Sequence, residues 1–440
     1  MKNEIREALE VKSAASGPMR EALELWSAMY EDLPPWQSET VKTLSLPAGI
    51  ASEMARLVTL ELKSTLSGSA RADYLNGPYQ ALLRRLRPYV EYACAKGGLV
   101  LKPYFDGEGI AVDCVQSGDF FPTAFDGNGK VTGAVFIDRA VQGKKVFTRL
   151  EHASFCGGVY TVKNEAYVSD SPGYLGAPVA LETVEKWAHL QEETVIHGLT
   201  APLFTYFKMP LANAVDEGSP LGVSVYARAV DLIAQADRQY SRLLWEFESG
   251  ERALYVSDEA FRRGKDGSPV LPDRRLYRSI ATFGGGGLFE DWSPPLRQQE
   301  ILSGLNALLQ KIEFSCGLAY GTLSDVHYNE KTAEEIRASK QRSYAAVTDI
   351  QKALQGALED LARAMDALCT LYHLAPEGKV ETAFEFDDSI VADRKAEFDE
   401  RVRLVQLGAM APWELRMWYL GEPEDVAREA AGEPGIERKS

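Results

Sequence analysis

The chain has 440 residues, 45% hydrophobic and 25% charged, an ordinary globular composition with room for roughly two to four domains. Its formal net charge of −16 excludes a protein that grips DNA by neutralising phosphates across its whole surface, although acidic walls would let DNA slide past without sticking. Cys94, Cys114, Cys156, Cys316 and Cys369 form no CxxC pair, and the five histidines do not fall at ligand spacing near them. Neither a disulfide framework nor a structural zinc site is expected, and no cofactor.

Met1 is followed by KNEIREALE, too charged for a signal peptide, and no apolar run reaches the ~18 residues of a membrane span. Folding in a cytoplasm is therefore expected. Residues 1–97 read as mostly helical. One helix covers 21–30, and Pro47 opens a second with Ile50, Met54, Leu57 and Leu62. Pro78 opens a third with Leu82, Leu83 and Leu86, which Pro88 should kink or split. From Leu99 the pattern changes to short apolar runs between turn signals (DGEG, QSGD, DGNGK, VQGK), a meander of hairpins and so a mostly antiparallel sheet over 99–170. A short helical piece is expected over 182–194. The stretch LTAPLFTYFKMPLAN looks extended and able to rejoin the sheet.

Ser219-Pro220 has the pattern of a capped helix start. The helix it predicts runs to about Glu248 with Val225, Leu232, Ala236, Tyr240, Leu243 and Phe247 as its stripe, and Gly250 as its stop. Ser293-Pro294-Pro295 predicts a second, carrying Ile301, Leu305, Leu308, Ile312 and Cys316 and ending at Gly317. Between them lies an insertion with two strand candidates, ALYV and RLYRSIATF. Over 251–280 it carries seven basic residues (Arg252, Arg262, Arg263, Lys265, Arg274, Arg275, Arg278) against five acids, a local excess of positive charge in an acidic chain. That is a solvated loop, or a docking surface for an acidic partner or passing DNA.

After Gly317, the polar loop GLAYGTLSDVHYNEK leads into a very long helix over 332–372. Thr332 and Glu335 form its capping box, and its apolar stripe is Val347, Ile350, Leu354, Ala357, Leu361, Met365, Leu368 and Tyr372. At ~1.5 Å per residue it runs ~60 Å, and Gly356 is the one expected bend. VETAFEFDD predicts a strand, and helices are expected over 393–407, 412–420 and 423–430, before a tail with no pattern.

No catalytic constellation stands out. The glycines at 284–287 lack the Lys-Ser/Thr of a phosphate loop, and GxSxG and HExxH are missing. Acid pairs such as Asp387-Asp388 and Glu334-Glu335 could be cast as hydrolase carboxylates, but capping and solvated helix faces explain them better. The fold class expected is α+β.

The ordered set of segments resembles the portal proteins of tailed bacteriophages, siphophage type. The resemblance rests on WSAMYEDLPPW, GGLVLKPY, SGDFFPTAFDGNGKVTGAVF, SPLGVSVYARAVDLIAQADRQYSRLLWEFESG and above all GLAYGTLSDVHYNEKTAEEI. It covers nearly the whole chain and is weakest over 251–290 and the last fifty residues. It implies a wing (1–218, helical part plus antiparallel sheet), stem helices (219–250 and 293–316), a clip (251–292), a tunnel loop (317–331), a long helix with a return strand (332–391), and a helical crown (392–440). It also implies a ring of about twelve copies at one capsid vertex of the virion, assembled in the host cytoplasm. Double-stranded DNA would pass through it in packaging and ejection. The ring itself would hydrolyse nothing, the ATPase being the terminase large subunit. Further partners would be a head-completion protein and the major capsid and scaffolding proteins. On this resemblance Gly321, Thr322, Leu323, Ser324, Asp325, Val326, His327, Tyr328, Asn329 and Lys331 line the DNA channel from a projecting loop tip. Arg262, Arg263, Lys265, Arg274, Arg275 and Arg278 dock terminase or adaptor, and Leu243 and Leu305 lie in the ring interface. Two rivals stay open: a cytoplasmic helical scaffold without a channel, and an acid-pair hydrolase.

Overall fold

The computed structural model describes residues 15–60, 62–171, 174–251, 253–257, 262–263, 270, 277–280, 289–292, 295–325, 333–386 and 394–432. Helices and mostly antiparallel strands occur in separate runs, an α+β architecture. The chain divides into two compact units, Met1–Leu60 with Ser64–Phe384, and Glu61–Lys63 with Glu385–Ser440.

In the first unit, α1 (Gly17–Tyr30) starts where Ser16 Oγ accepts a hydrogen bond from Met19 N, and it buries Met19, Trp26 and Met29. The next helix, α2 (Leu46–Thr59), buries Ile50, Met54 and Val58 and stops before Leu62. Leu62 instead precedes β1 (Lys63–Ser67). The third helix, α3 (Ala70–Lys96), runs unbroken through both Pro78 and Pro88, against the expected start at one and split at the other. An interior proline costs ~3 kcal/mol. Here Pro88 is on the exposed face, where water can satisfy the freed carbonyl, while Leu75, Tyr79, Leu82, Leu86, Val90 and Ala93 are all buried, each large apolar side chain contributing ~1.5–3 kcal/mol.

The expected meander is present but divides in two. One sheet has three strands in the order β10 (Thr205–Lys208), β2 (Gly98–Phe105), β3 (Ile110–Gln116). The other runs β4 (Phe120–Phe125), β5 (Val131–Gln142), β6 (Lys145–Cys156), β7 (Val159–Ser169), β8 (Ala177–Val179), with β9 (Glu193–His197) also paired to β7. The helix expected over 182–194 is absent. Two short 3₁₀ turns, Leu181–Thr183 and Glu185–Trp187, stand there. Leu181, Val184 and Trp187 recur every three residues, the period of that helix, and pack on Phe147 and Ala166 of the sheet. A buried ion network links the two sheets. Lys102 and Arg149 both pair with Glu151, and Arg149 also donates to Asn164 Oδ1 at 2.9 Å. Burial alone would raise the Glu151 carboxyl, but the two cations hold it below its usual range.

The segment expected to open a helix at Ser219 stays non-helical up to a 3₁₀ turn at Ala227–Ala229, and α4 spans Val230–Ser249. Its backbone is used for tertiary bonds instead: Val225 N donates to Cys94 O at 2.9 Å and Gly222 N to Tyr206 OH at 3.2 Å. Gly222 crosses Gly97, the left-handed C-cap of α3 (φ 84°), so closely that a Cβ on Gly97 would meet Gly222 O at 2.5 Å.

Beyond α4 a small sheet places β11 (Ala253–Ser257) between a parallel β12 (Tyr277–Ile280) and an antiparallel β13 (Phe289–Trp292). The last of these, FEDW, was not expected as a strand. The second hairpin helix, α5, covers Gln298–Cys316, so Pro295 precedes it rather than opening it. The long helix α6 (Ala333–Leu371) continues through Gly356. Its stripe from Val347 to Leu368 is buried, packing on α2, β2 and β10. Tyr372, just past its end, is exposed on one side and stacks on Phe105 with ring centroids 4.4 Å apart. The Thr332 half of the expected capping box lies outside the described residues. The return strand β14 (Glu381–Glu385) pairs with β1. Arg71 ties the start of α3 to the end of α6: it donates to Asp366 Oδ1, Thr370 Oγ1, Ala375 O and Pro376 O at 2.6–2.9 Å.

The second unit holds α7 (Arg394–Gln406), α8 (Pro412–Leu420) and α9 (Glu424–Ala430). Much of its packing is cation–π: Arg401 lies 4.2 Å over Trp418 and Arg428 3.9 Å over Trp413.

Candidate functional site

The hairpin of α4 and α5 is held along its length. Along the middle of α4, residues 36–44 run beside the helix: Trp36 Nε1 donates to Asp237 Oδ2 at 2.8 Å, Leu44 N to Asp237 Oδ1 at 2.9 Å and Lys42 N to Ser241 Oγ at 2.8 Å. Burial raises the Asp237 carboxyl, against those hydrogen bonds, and the nearby Asp32 adds to the rise. Midway, Gln239 Nε2 donates to Ile301 O at 3.2 Å. At the far end Glu246 accepts from the Arg297 backbone N at 2.8 Å and from its Nη2 at 2.7 Å, bonds that lower its carboxyl pKa. These contacts set where the small sheet β11–β13 leaves the hairpin.

Leu243 and Leu305, expected between copies, are 9% and 8% exposed, so their burial is already provided within the single chain. The apolar side chains that the hairpin leaves open are others: Trp245 at 65% exposure with Leu244 and Phe247 near the end of α4, and Phe314 at 59% near the end of α5. Phe314 borders an open groove of about 430 Å³ with Leu232, Ala307, Lys311 and Tyr320. The Arg342 guanidinium lies 4.4 Å over the Phe314 ring and 5.4 Å from the Tyr320 centroid.

The loop after α5 differs from the expected projecting tip. Gly317 takes the left-handed C-cap (φ 72°) and Leu318, fully buried, donates its N–H to Glu313 O at 2.9 Å. The chain then folds back on α5. Glu313 Oε1 accepts from the backbone N–H of Gly321 (3.1 Å), Leu323 (2.7 Å) and Ser324 (2.8 Å), and Oε2 from Ser324 Oγ (2.8 Å). Asn306 bonds the Asp325 backbone on both sides, Oδ1 to N at 2.8 Å and Nδ2 to O at 3.2 Å. Tyr320 N donates to Ser339 Oγ of α6 at 2.7 Å. Ser324 is thus buried against α5, a correction to its expected place at a channel surface, while Gly321, Thr322 and Asp325 are exposed and Leu323 is half-buried. Val326, His327, Tyr328, Asn329 and Lys331 lie outside the described residues.

Of the basic residues expected to dock a partner, Arg262, Arg263 and Arg278 are exposed, Arg278 standing on β12 opposite Tyr255. Lys265, Arg274 and Arg275 lie outside the described residues. Among the described residues no helix is long and apolar enough to cross a membrane, and no cluster of His, Cys, Asp or Glu could hold a metal ion.

Sequence reasoning missed Glu313 and Asn306. The signal was available: they are seven residues apart, each directly follows a stripe residue (Ile312, Leu305), and so both face the buried side of α5.

The described residues thus form a helical hairpin bearing a small sheet at one end and a structured loop at the other, with one very long helix following that loop. Residues 82–420 match the family described as "Phage portal protein, SPP1 Gp6-like", and the chain belongs to that family. The family is a structural one, and membership implies a multi-subunit assembly in a phage-type particle. No curated protein matches the chain. Among solved structures, a chain of "Neck of native GTA particle computed with C12 symmetry" is similar at 14% identity and a TM-score of 0.40, over 95% of this chain and 94% of that one.

Proposed function

We propose that copies of this chain close into a ring of about twelve at one vertex of a phage-type capsid, and that double-stranded DNA passes through the ring in packaging and ejection. The observation that carries this reading is the family match, which spans both hairpin helices, the loop and the long helix. In this reading α4 and α5 are the stem, the β11–β13 sheet is the clip, the two larger sheets with α1–α3 are the wing, and α7–α9 are the crown. The loop lines the bore, with Thr322 and Asp325 and, beyond the described residues, Val326, His327, Tyr328, Asn329 and Lys331 as its DNA-facing groups. The clip, with Arg262, Arg263 and Arg278 exposed, docks the terminase large subunit and later a head-completion protein. ATP hydrolysis belongs to the terminase. The net charge of −16 per copy supports a channel wall that does not hold DNA.

The exposed Trp245, Phe247 and Phe314 are the ring contacts, in place of Leu243 and Leu305. Native mass spectrometry of the purified full chain should give a closed ring of hundreds of kilodaltons. Deletion of residues 326–329 should leave that ring intact and impair packaging or retention of DNA in vitro. A chain that stays monomeric or dimeric at every concentration would remove the portal reading. Wild-type packaging by the deletion would remove the loop's part in it.

A further inference from the structure

Four hydrogen bonds converge on Glu313 from a loop expected to project as a tip. A carboxylate offers about four acceptor positions, and here three backbone N–H groups and one hydroxyl occupy both oxygens. The residue is fully buried, and among the described residues no Lys or Arg forms a salt bridge with it. Its charge is therefore held by N–H dipoles, in the manner of a backbone nest, and each such bond is about twice as strong as a neutral one. Asn306, two helical turns earlier on the same face, clamps both backbone groups of Asp325. The hydroxyl of Ser339, also buried, takes the N–H of Tyr320 from the side of α6. The loop's first nine residues are thus fixed to two helices through their backbone, so the side chains exposed there can vary without loosening it.

We propose that Glu313, with Asn306, is the positioning residue of the channel loop: it fixes residues 317–325 along the flank of α5, so that the chain leaves the hairpin at one defined place, Asp325. The geometry divides the loop by role. Residues 317–325 are a rigid footing from which only the exposed side chains, Thr322 and Asp325, can face the bore; Ser324 adds nothing to the wall that touches DNA, because its N–H and its hydroxyl are both committed to Glu313. In the assembled ring every copy would then present its loop from the same height and angle, which a tethered but unfixed loop would not do. The positioning role rests on the channel reading above; the fixing itself does not.

The test uses the assembled full chain and two variants, Glu313→Ala and Glu313→Gln. Glutamine keeps an oxygen for the three backbone donors and turns its amide toward Ser324 Oγ, so it should preserve most of the arrangement. Hydrogen exchange at the amides of Gly321, Leu323 and Ser324 should be slow in the wild type, at least ~10-fold faster in Glu313→Ala, and near wild type in Glu313→Gln, a single bond to a charged group being worth a factor of ten or more. Ring mass should be the same in all three. DNA retention by packaged particles should fall in Glu313→Ala and recover in Glu313→Gln. Unchanged exchange in Glu313→Ala would overturn the fixing. Faster exchange with wild-type packaging and retention would overturn the positioning role. A wild-type protein that forms no ring would sink the channel reading while leaving the exchange result to decide the fixing. Should Glu313→Ala fail to fold, Asn306→Ala read at the Asp325 amide gives the same decision.

Discussion

The segment leading into α4 crosses the end of α3 at Gly97 and Gly222, and Gly97→Ala tests whether that crossing holds it. The new methyl group would sit 2.5 Å from Gly222 O, 2.7 Å from Gly222 C and 2.9 Å from Val223 Cα, all of them backbone atoms that no rotamer change can move. Relief needs a shift of about 1 Å, and overpacking of this kind costs ~1–3 kcal/mol. A left-handed φ of 84° adds ~1–2 kcal/mol for any residue with a Cβ. The shift would also strain the bond from Met209 N to Gly97 O, 3.1 Å long, for up to ~1 kcal/mol more. The expected loss is ~3–5 kcal/mol. The control is Gly143→Ala in the β5–β6 turn, where φ is 64° but nothing lies within 4 Å, so that only the ~1–2 kcal/mol of backbone strain applies. At about 2 °C per kcal/mol for a unit of this size, Tm in a thermal scan should drop ~6–10 °C for Gly97→Ala and ~2–4 °C for the control. Equal drops would refute the argument, because the close approach would then contribute nothing beyond the glycine's own conformation.

Leu305→Ala should destabilise the chain by ~2–5 kcal/mol whether or not rings form, because its side chain is buried within one copy. Trp245→Asp and Phe314→Asp should leave the Tm of unassembled chain nearly unchanged and reduce ring yield by native mass spectrometry; intact rings in both would exclude these aromatics from the interface. Reversal of Arg262, Arg263 and Arg278 to Glu should spare rings and weaken terminase capture in a pull-down at low salt, and wild-type capture would end the charge-docking reading. Glu151 has its folded-state pKa depressed, on balance, by Lys102 and Arg149, so its stabilising contribution is present above its unfolded value of 4.5 and is lost as pH falls through the lower folded value. Unfolding midpoints measured from pH 7 down to pH 3 should therefore fall less steeply in Glu151→Gln than in wild type; parallel curves would remove the network from the acid sensitivity.

What the sequence made legible was whatever local periodicity encodes. The stripe of α6 from Val347 to Leu368 repeats at 3 and 4 because one face is buried, so helix and core were visible together. The β5–β6–β7 hairpins were visible for the same reason, through Gly-bearing turns between alternating runs. The failures share another cause. SPLGVSVY has the proline and serine of a helix start, but its Val225 N–H bonds to Cys94, more than a hundred positions away, and its Gly222 N–H to the Tyr206 hydroxyl, and no local pattern reports that. Pro78 reads as a helix start and Pro88 as a kink or split, but the burial of one face of α3 outweighs both. The FEDW strand is short and acidic, and its pairing with β11 comes from the closure of a three-stranded sheet rather than from its own propensity.

The site was legible by position, and one physical principle accounts for the burial of Leu243, Leu305 and Ser324 within the single chain. A hairpin of two amphipathic helices first buries its own apolar faces, which is why Leu243 and Leu305 are satisfied within the chain. In the proposed ring, contacts between copies through this hairpin would then come from what it leaves over. That remainder is Trp245 and Phe247 near the end of α4 and Phe314 near the end of α5. An aromatic side chain carries about 150–250 Å² of surface, and at ~25 cal/mol per Å² the half or more still exposed on Trp245 and Phe314 would yield ~2–3 kcal/mol each on burial. One interface of that strength is weak, but a closed ring has an interface at both sides of every subunit, and opening it at one place gains little freedom until a second breaks. The same logic applies to the loop. Its polar residues read as solvated, yet a backbone that turns back on a helix must satisfy its N–H groups. The buried Glu313 does so, which leaves the remaining exposed side chains of the loop free for whatever passes beside them.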